Sequence, residues 1–329
     1  MNLEVDKLFC LIKQKLPDTI SFIDEIADVL NISYDAMYRR INGKTMLSFS
    51  EALKLAKHFK ISLNCLYDIE DKEIFHVLKR GNTNSLEGLA TYFNIVTKSA
   101  KEHAKFKSLE IFYAAKDLPL YYLPPGTLFT KFRLFVFSNV HFDEPLKSTI
   151  NFKDFVVPEY LIAAANEFSN TFRKVKLTEI WNDTTMNATL YQIYYFFELN
   201  FIDKEEALEL CNDIINVLKD VENEVIKSST NKSKYNLYYN KLINLNNTVY
   251  LKTEKTSSLI IPYTRLSYFR VDDEVTCKEV EAYLYKQLQY SKKISNDTNV
   301  ERQLFFSSMT EKVVQLQRQI EVKSLITFM

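Results

Sequence analysis

The chain has 329 residues, 47% of them hydrophobic and 26% charged, a formal net charge of +0, and four glycines. Gly usage is normally about 7%, and the glycine-built motifs G-x-G-x-x-G, G-x-x-x-x-G-K-[ST] and G-x-S-x-G are all absent, which excludes the usual dinucleotide, P-loop and serine-hydrolase designs. The composition is that of a globular chain long enough for two or three domains. With no net charge there is no global field toward nucleic acid or membrane, so any basic surface must be local.

In chain order, the first seventy residues read as short helices with polar breaks. Leu8, Leu11, Ile12 and Leu16 form an amphipathic stripe that stops at Pro17. Ser21 and Asp24 have the spacing of a capping box, ahead of Ile23, Ile26, Ala27 and Leu30. Asn31-Ile32-Ser33 breaks that pattern, and Ser33 suits the N-cap of a helix over 34–41 that Asn42-Gly43 ends. Ser48 opens a fourth helix containing Leu53, Leu55, Ala56 and Phe59, and a shorter fifth turn follows over 61–67.

A polar segment, 73–85, reads as a linker around Gly81. Beyond it the periodicity predicts helices over 86–105, 158–170, 187–199, 203–227, 274–291 and 299–321, with an aromatic-rich segment over 127–140 after the turn Pro124-Pro125-Gly126. The period falls to two only near 237–262, which reads as a small antiparallel meander. The fold class expected from these elements is mainly α: a five-helix domain over 1–72, then a larger helical domain over 86–329 carrying that meander.

The segment from Ile26 to Lys44 resembles the helix-turn-helix of phage-repressor-like regulators, the XRE family. Ala27 fits the small position where the two helices cross, Leu30 and Met37 the apolar positions, Ile32 and Ser33 the turn and cap, and Asn42-Gly43-Lys44-Thr45 the loop after the recognition helix. Leu53, Leu55, Ala56, Phe59, Ile61 and Leu63 fit the fourth and fifth helices of the same five-helix domain. The family usually opens its second helix with a polar pair; Phe22 and Ile23 stand there instead, and Arg40 occupies a position that is usually apolar.

The chemistry agrees with the resemblance. A recognition helix offers polar side chains to base edges near its first turn, here Tyr34, Asp35, Tyr38 and Arg39 behind the cap Ser33. Arg39 is the residue expected to read sequence, since a guanidinium pairs bidentately with guanine. Asn42, Lys44 and Arg40 are expected to hold phosphates and so fix register. Between 39 and 60 the cations Arg39, Arg40, Lys44, Lys54, Lys57 and Lys60 meet one anion, Glu51.

The remainder presents no catalytic constellation. Glu179, Asp183, Asp272, Asp273 and Glu274 read as caps or loop carboxylates. Cys10, Cys65, Cys211 and Cys277 lie far apart without a C-x-x-C, as in a reducing compartment, and Cys211 and Cys277 fit buried helical positions. His58, His76, His103 and His141 lack metal-ligand spacing, so neither a metal nor a cofactor is expected. The aromatic wealth reads first as core. The alternative is an effector pocket near Tyr121, Tyr122, Tyr194 and Tyr195. Phe305, Met309, Val313, Leu316 and Ile320 form a stripe on the last helix for its own core or for a two-fold seam.

The N-terminal residues are too charged for a signal peptide, and no apolar stretch reaches the ~18 residues a membrane span needs. These readings imply a cytoplasmic, non-enzymatic, sequence-specific transcriptional regulator. It would bind double-stranded DNA as a homodimer, without membrane association, and its larger domain would serve dimerisation and a small-molecule or peptide effector. The rival expectation is an interaction module whose helix-turn-helix no longer binds DNA.

Overall fold

The computed structural model describes residues 3–17, 19–61, 63–66, 77–80, 85–106, 108–141, 151–229, 234–243, 245–264, 266–295 and 299–326. The chain opens with α1 (Leu3–Lys15), α2 (Phe22–Leu30), α3 (Tyr34–Ile41), α4 (Phe49–His58) and a 3-10 turn, Leu63–Leu66. These pack on a core of their own in which Leu8, Ile12, Ile26, Met37 and Leu55 are fully buried. The boundaries follow from local chemistry. Asn31 adopts a left-handed φ of 57° to end α2, and Gly43, at φ 70°, turns the chain after α3. Ser33 Oγ accepts the Ala36 N–H at 3.3 Å. Ser48 and Glu51 form a full capping box, with bonds of 3.2 and 2.9 Å. Ser21 makes no such side-chain bond, so the capping box expected there is absent.

The larger region differs from the mainly α expectation. Its elements are β1 (Val77–Arg80), α5 (Leu86–His103), β2 (Leu109–Ala114), α6 (Leu128–His141), α7 (Glu159–Phe172), β3 (Lys176–Trp181), α8 (Asn187–Glu198), α9 (Lys204–Ser229), β4 (Tyr235–Tyr239), β5 (Val249–Thr253), β6 (Ser257–Pro262), β7 (Tyr268–Val271), α10 (Glu274–Gln289), β8 (Lys292–Lys293) and α11 (Asn299–Ile326). Among the described residues the strands form one sheet of eight, in the order β1-β7-β6-β5-β2-β3-β4-β8. It is a mixed sheet: β2, β3 and β4 are parallel, and the other pairings are antiparallel.

The small meander is therefore corrected to a sheet that spans the domain. β5, β6 and β7 do run as an antiparallel meander, but β4 pairs with β3 and β8 rather than with β5. The segment read as a linker contributes β1, whose Val77 pairs with Val271. The parallel strands escaped the period-two pattern because a strand covered on both faces has no polar face to alternate with. In β3, every residue from Leu177 to Trp181 is buried.

The register places the cores. Phe112, Tyr250, Leu259 and Val271 form one row across four strands, and Cys277 and Leu284 of α10 pack on it. Residues of opposite parity, including Ile111, Leu177, Trp181 and Leu237, join the larger core with α5, α6, α7, α8, α9 and α11. The α11 stripe of Phe305, Met309, Val313, Leu316 and Ile320 is consumed there, packed within its own domain. Inside α6, Arg133 is buried against Asp117 (3.1 Å), Thr189 (2.7 Å) and the Leu118 carbonyl (3.0 Å), which fixes that helix to the turn after β2.

Candidate functional site

Two places concentrate chemistry, one on the surface and one in the interior. On the surface, α3 stands on its buried Met37 and turns Ser33, Tyr34, Asp35, Tyr38 and Arg39 outward. Tyr34 and Tyr38, one helical turn apart, stack at 6.4 Å with an interplanar angle of 12°, and each remains 48% exposed. Arg39 lies beside them with no side-chain bond or ion pair among the described residues, so its five donors face solvent.

Arg40 is in a different position. Its Nε and Nη2 bond Glu51 at 3.3 and 2.9 Å, and Nη1 reaches the Ala36 carbonyl at 3.0 Å. A part-buried guanidinium with these bonds ties α3 to the cap of α4, so Arg40 leaves the group of exposed phosphate contacts in which the sequence placed it. Burial raises the Glu51 carboxyl, but the Ser48 amide and Arg40 outweigh that and hold it below the usual carboxylate range.

Asn42 donates to the Tyr38 carbonyl at 2.9 Å and stays exposed, and Lys44 follows on the exposed loop that Gly43 begins. Lys54, Lys57 and Lys60 are exposed on and after α4. With Arg40 and Glu51 neutralising one another, the basic character of this segment rests on Arg39 and these four lysines. Beside them runs an apolar strip that no sequence pattern marks, in which Met46 is 85% and Phe49 72% exposed, with Leu53 one turn further along α4.

The interior site is centred on Glu179, which lies inside β3 rather than in the cap or loop expected for it. Strand alternation in Leu177-x-Glu179-x-Trp181 turns it inward, and it is fully buried. Its carboxylate collects four donors. Trp181 Nε1 donates at 2.6 Å, Tyr235 Oη at 2.9 Å and Tyr122 Oη at 3.1 Å to each oxygen, and the Tyr121 hydroxyl also donates. Tyr122 and Tyr235 meet at 3.2 Å.

Burial raises the Glu179 carboxyl above its ordinary range, with the four donors acting in the opposite direction. Burial, and then the negative charge of Glu179, push the hydroxyls of Tyr121, Tyr122 and Tyr235 well above the usual tyrosine range, so all three are protonated donors.

The three tyrosines also line a cavity of about 170 Å³ between the turn after β2, the start of β3 and β4, and the second half of α9. Phe172, Leu177, Val217 and Val221 supply apolar wall, and Arg173, Asp220, Glu224 and Lys227 ring its mouth. Of the four tyrosines named for the alternative effector pocket, Tyr121 and Tyr122 line this cavity. Tyr194 and Tyr195 do not line it; they lie on α8, with Lys323 over the Tyr194 ring at 5.5 Å and Tyr195 exposed. The local signal that would have found Glu179 is a lone acid at every-second-residue spacing between Leu177 and Trp181, because a solvated strand face would be polar at those flanks.

The other titratable groups fall short of a site. Cys211 and Cys277 are buried and free; burial pushes the Cys211 thiol up to about 12, far from a reactive thiolate. His58 is exposed 3.8 Å from Glu25, while Cys65 and His76 lie outside the residues whose side chains are described. Among the described residues no group of His, Cys, Asp and Glu is arranged to hold a metal ion, and no helix is long and apolar enough to cross a membrane. No protein-family model, curated protein or solved structure matches this chain.

Proposed function

We propose that the N-terminal five-helix domain binds double-stranded DNA sequence-specifically, with α3 in the major groove, and that the protein is a cytoplasmic transcriptional regulator of the XRE, phage-repressor-like kind. The observation that carries this reading is the pairing of adjacent arginines with opposite fates. Arg40 is locked to Glu51, whereas Arg39 is exposed and unpaired among the described residues, on the same face as Tyr34, Asp35 and Tyr38. A side chain held ready with all its donors open suits bidentate reading of guanine. Asn42 and Lys44, on the loop that leaves the helix, suit phosphate contacts that fix register.

Regulators of this kind read paired half-sites about 34–36 Å apart as dimers. We assign the homodimer contact to the larger domain, through surface other than the α11 stripe, which is spent in the core. Selection of bound fragments from random or genomic duplex DNA tests the reading. Enrichment of a two-fold related motif is expected, and recovery of fragments without any common motif overturns it.

The exposed strip of Met46, Phe49 and Leu53 favours a second reading, in which the same domain docks a protein. The two readings separate on ionic strength. Neutralising phosphates releases counterions and makes affinity fall steeply with salt, whereas docking on an apolar strip leaves DNA affinity weak and flat.

A further inference from the structure

We propose that Asp35 is a second specificity-determining residue of α3 and reads a cytosine, so that each half-site carries two G·C pairs about two base steps apart. Asp35 can do so only with α3 in the major groove, so its role rests on the DNA-binding reading above. Asp35 and Arg39 are both exposed, and Asp35 is the one acidic residue of the helix. They stand four positions apart with the acid nearer the N-terminus, the arrangement in which a helical ion pair forms most readily. Among the described residues neither makes an ion pair or a side-chain hydrogen bond.

Two rows of side chains run along the outward face of α3, each with one residue per turn. Tyr34 and Tyr38 form an aromatic row, stacked on one another, and Asp35 and Arg39 form a charged row beside it. Residues four positions apart are separated by about 6 Å along a helix, against about 3.4 Å per base step. The charged row therefore spans about two steps, and Asp35 meets a different base pair from the one Arg39 meets.

A carboxylate has acceptors only, so it selects by what it cannot tolerate. In the major groove guanine presents two acceptors and thymine one, and adenine sets the N7 acceptor beside its amino donor. Cytosine presents the N4 amino donor with no acceptor on the same edge. Phosphates flank every sequence and repel Asp35 in all of them, so the residue weakens binding in general and weakens it least at cytosine. Arg39 sets the register in which the bases are compared, so Asp35 has no discrimination to add once Arg39 is gone.

An acid in the first turn also meets the positive end of the helix dipole. That turn is already capped by Ser33, which accepts the Ala36 N–H. An Asp35 that only stabilised the helix would alter folding and leave base preference untouched, so base preference is the readout.

Random duplexes are selected in parallel with full-length wild type, Asp35→Asn and Asp35→Ala. Wild type should enrich a two-fold motif with two G·C pairs about two steps apart in each half-site. Asp35→Asn should exchange cytosine for adenine at one of them, because an amide pairs with adenine N6 and N7. Asp35→Ala should lose preference at that position alone and bind a scrambled duplex several-fold more tightly than wild type. Glu279→Gln removes an exposed anion from α10 of the larger domain and should change neither the motif nor the affinity for the scrambled duplex.

N4-methylcytosine at that position keeps the base pair and puts a methyl group where the major-groove N–H was. It should weaken wild type about tenfold and leave Asp35→Ala unaffected. A two-fold motif that both Asp35 variants select unchanged would overturn the role of Asp35 and leave the DNA-binding reading intact, whereas fragments without a common motif would overturn both. Wild type alone supplies a test that does not depend on any variant folding: a selected site with no cytosine sensitive to N4-methylation overturns the proposal.

Discussion

Arg39 and Glu179 are both charged residues on short elements, and their surroundings are opposite. Arg39 is exposed on α3 and unpaired among the described residues, and its neighbours are made available by caps and turns a few residues away. Glu179 is fully buried on β3, and three of its four donors lie more than fifty residues away in sequence. The difference teaches how function and stability divide along this chain. A surface charge with unused donors contributes little to folding and is free for a partner. A buried carboxyl that receives four donors is part of the fold.

The severest way to break this contrast is Glu179→Ala. It would remove the acceptor that three hydroxyls and one indole N–H share, and each buried donor left unmet costs about 1–3 kcal/mol before relaxation. We expect the larger domain to lose about 3 kcal/mol or more, measured by denaturant unfolding; a loss within experimental error would mean that the cluster is solvated. Arg39→Ala should do the reverse. Stability should stay within about 0.5 kcal/mol, while affinity for a selected duplex falls by about 1–3 kcal/mol and specificity at one base pair relaxes. A comparable loss on unrelated DNA would reassign Arg39 to a phosphate.

Glu51 sharpens the comparison inside the N-terminal domain, because it serves both the α4 cap and Arg40. Glu51→Gln should cost that domain about 1 kcal/mol, the scale of a lost cap. The sign with pH follows from its lowered carboxyl. The ionised form is favoured in the fold, so its contribution is fully present above the usual carboxylate value and is lost as pH falls through the lowered one. Melting curves of wild type and Glu51→Gln should therefore converge in acid, and a gap that widens instead would contradict the assignment. The smallest effect is expected from Lys44→Ala. It should weaken binding evenly across sequences and reduce the slope of log affinity against log salt by about 1.

The same division explains what could be read from the sequence. The caps at Ser33 and Ser48, the turn at Gly43 and the stripes of α1 to α4 depend on residues within a turn or two, so these four short helices are legible. The sheet was not. β2 carries Glu110 and β3 carries Glu179, neither a good strand former, and their pairing joins Glu110 to Lys176 across 66 residues. Nothing local distinguishes such runs from the ends of the strongly periodic helices beside them. Aromatic abundance alone names Tyr121, Tyr122, Tyr194 and Tyr195 for an alternative pocket, and only the first two line the cavity; Tyr235 and Glu179 are joined to them only by the sheet.

The central claim is that α3 reads base sequence through Arg39. It is met most directly by titrating wild type and Arg39→Ala onto a selected duplex and onto a scrambled duplex of the same length, at several salt concentrations. We expect wild type to prefer the selected duplex at every salt concentration, and Arg39→Ala to bind both duplexes alike with a similar salt slope. Equal wild-type affinity for the two duplexes, or an unchanged preference in Arg39→Ala, would contradict it.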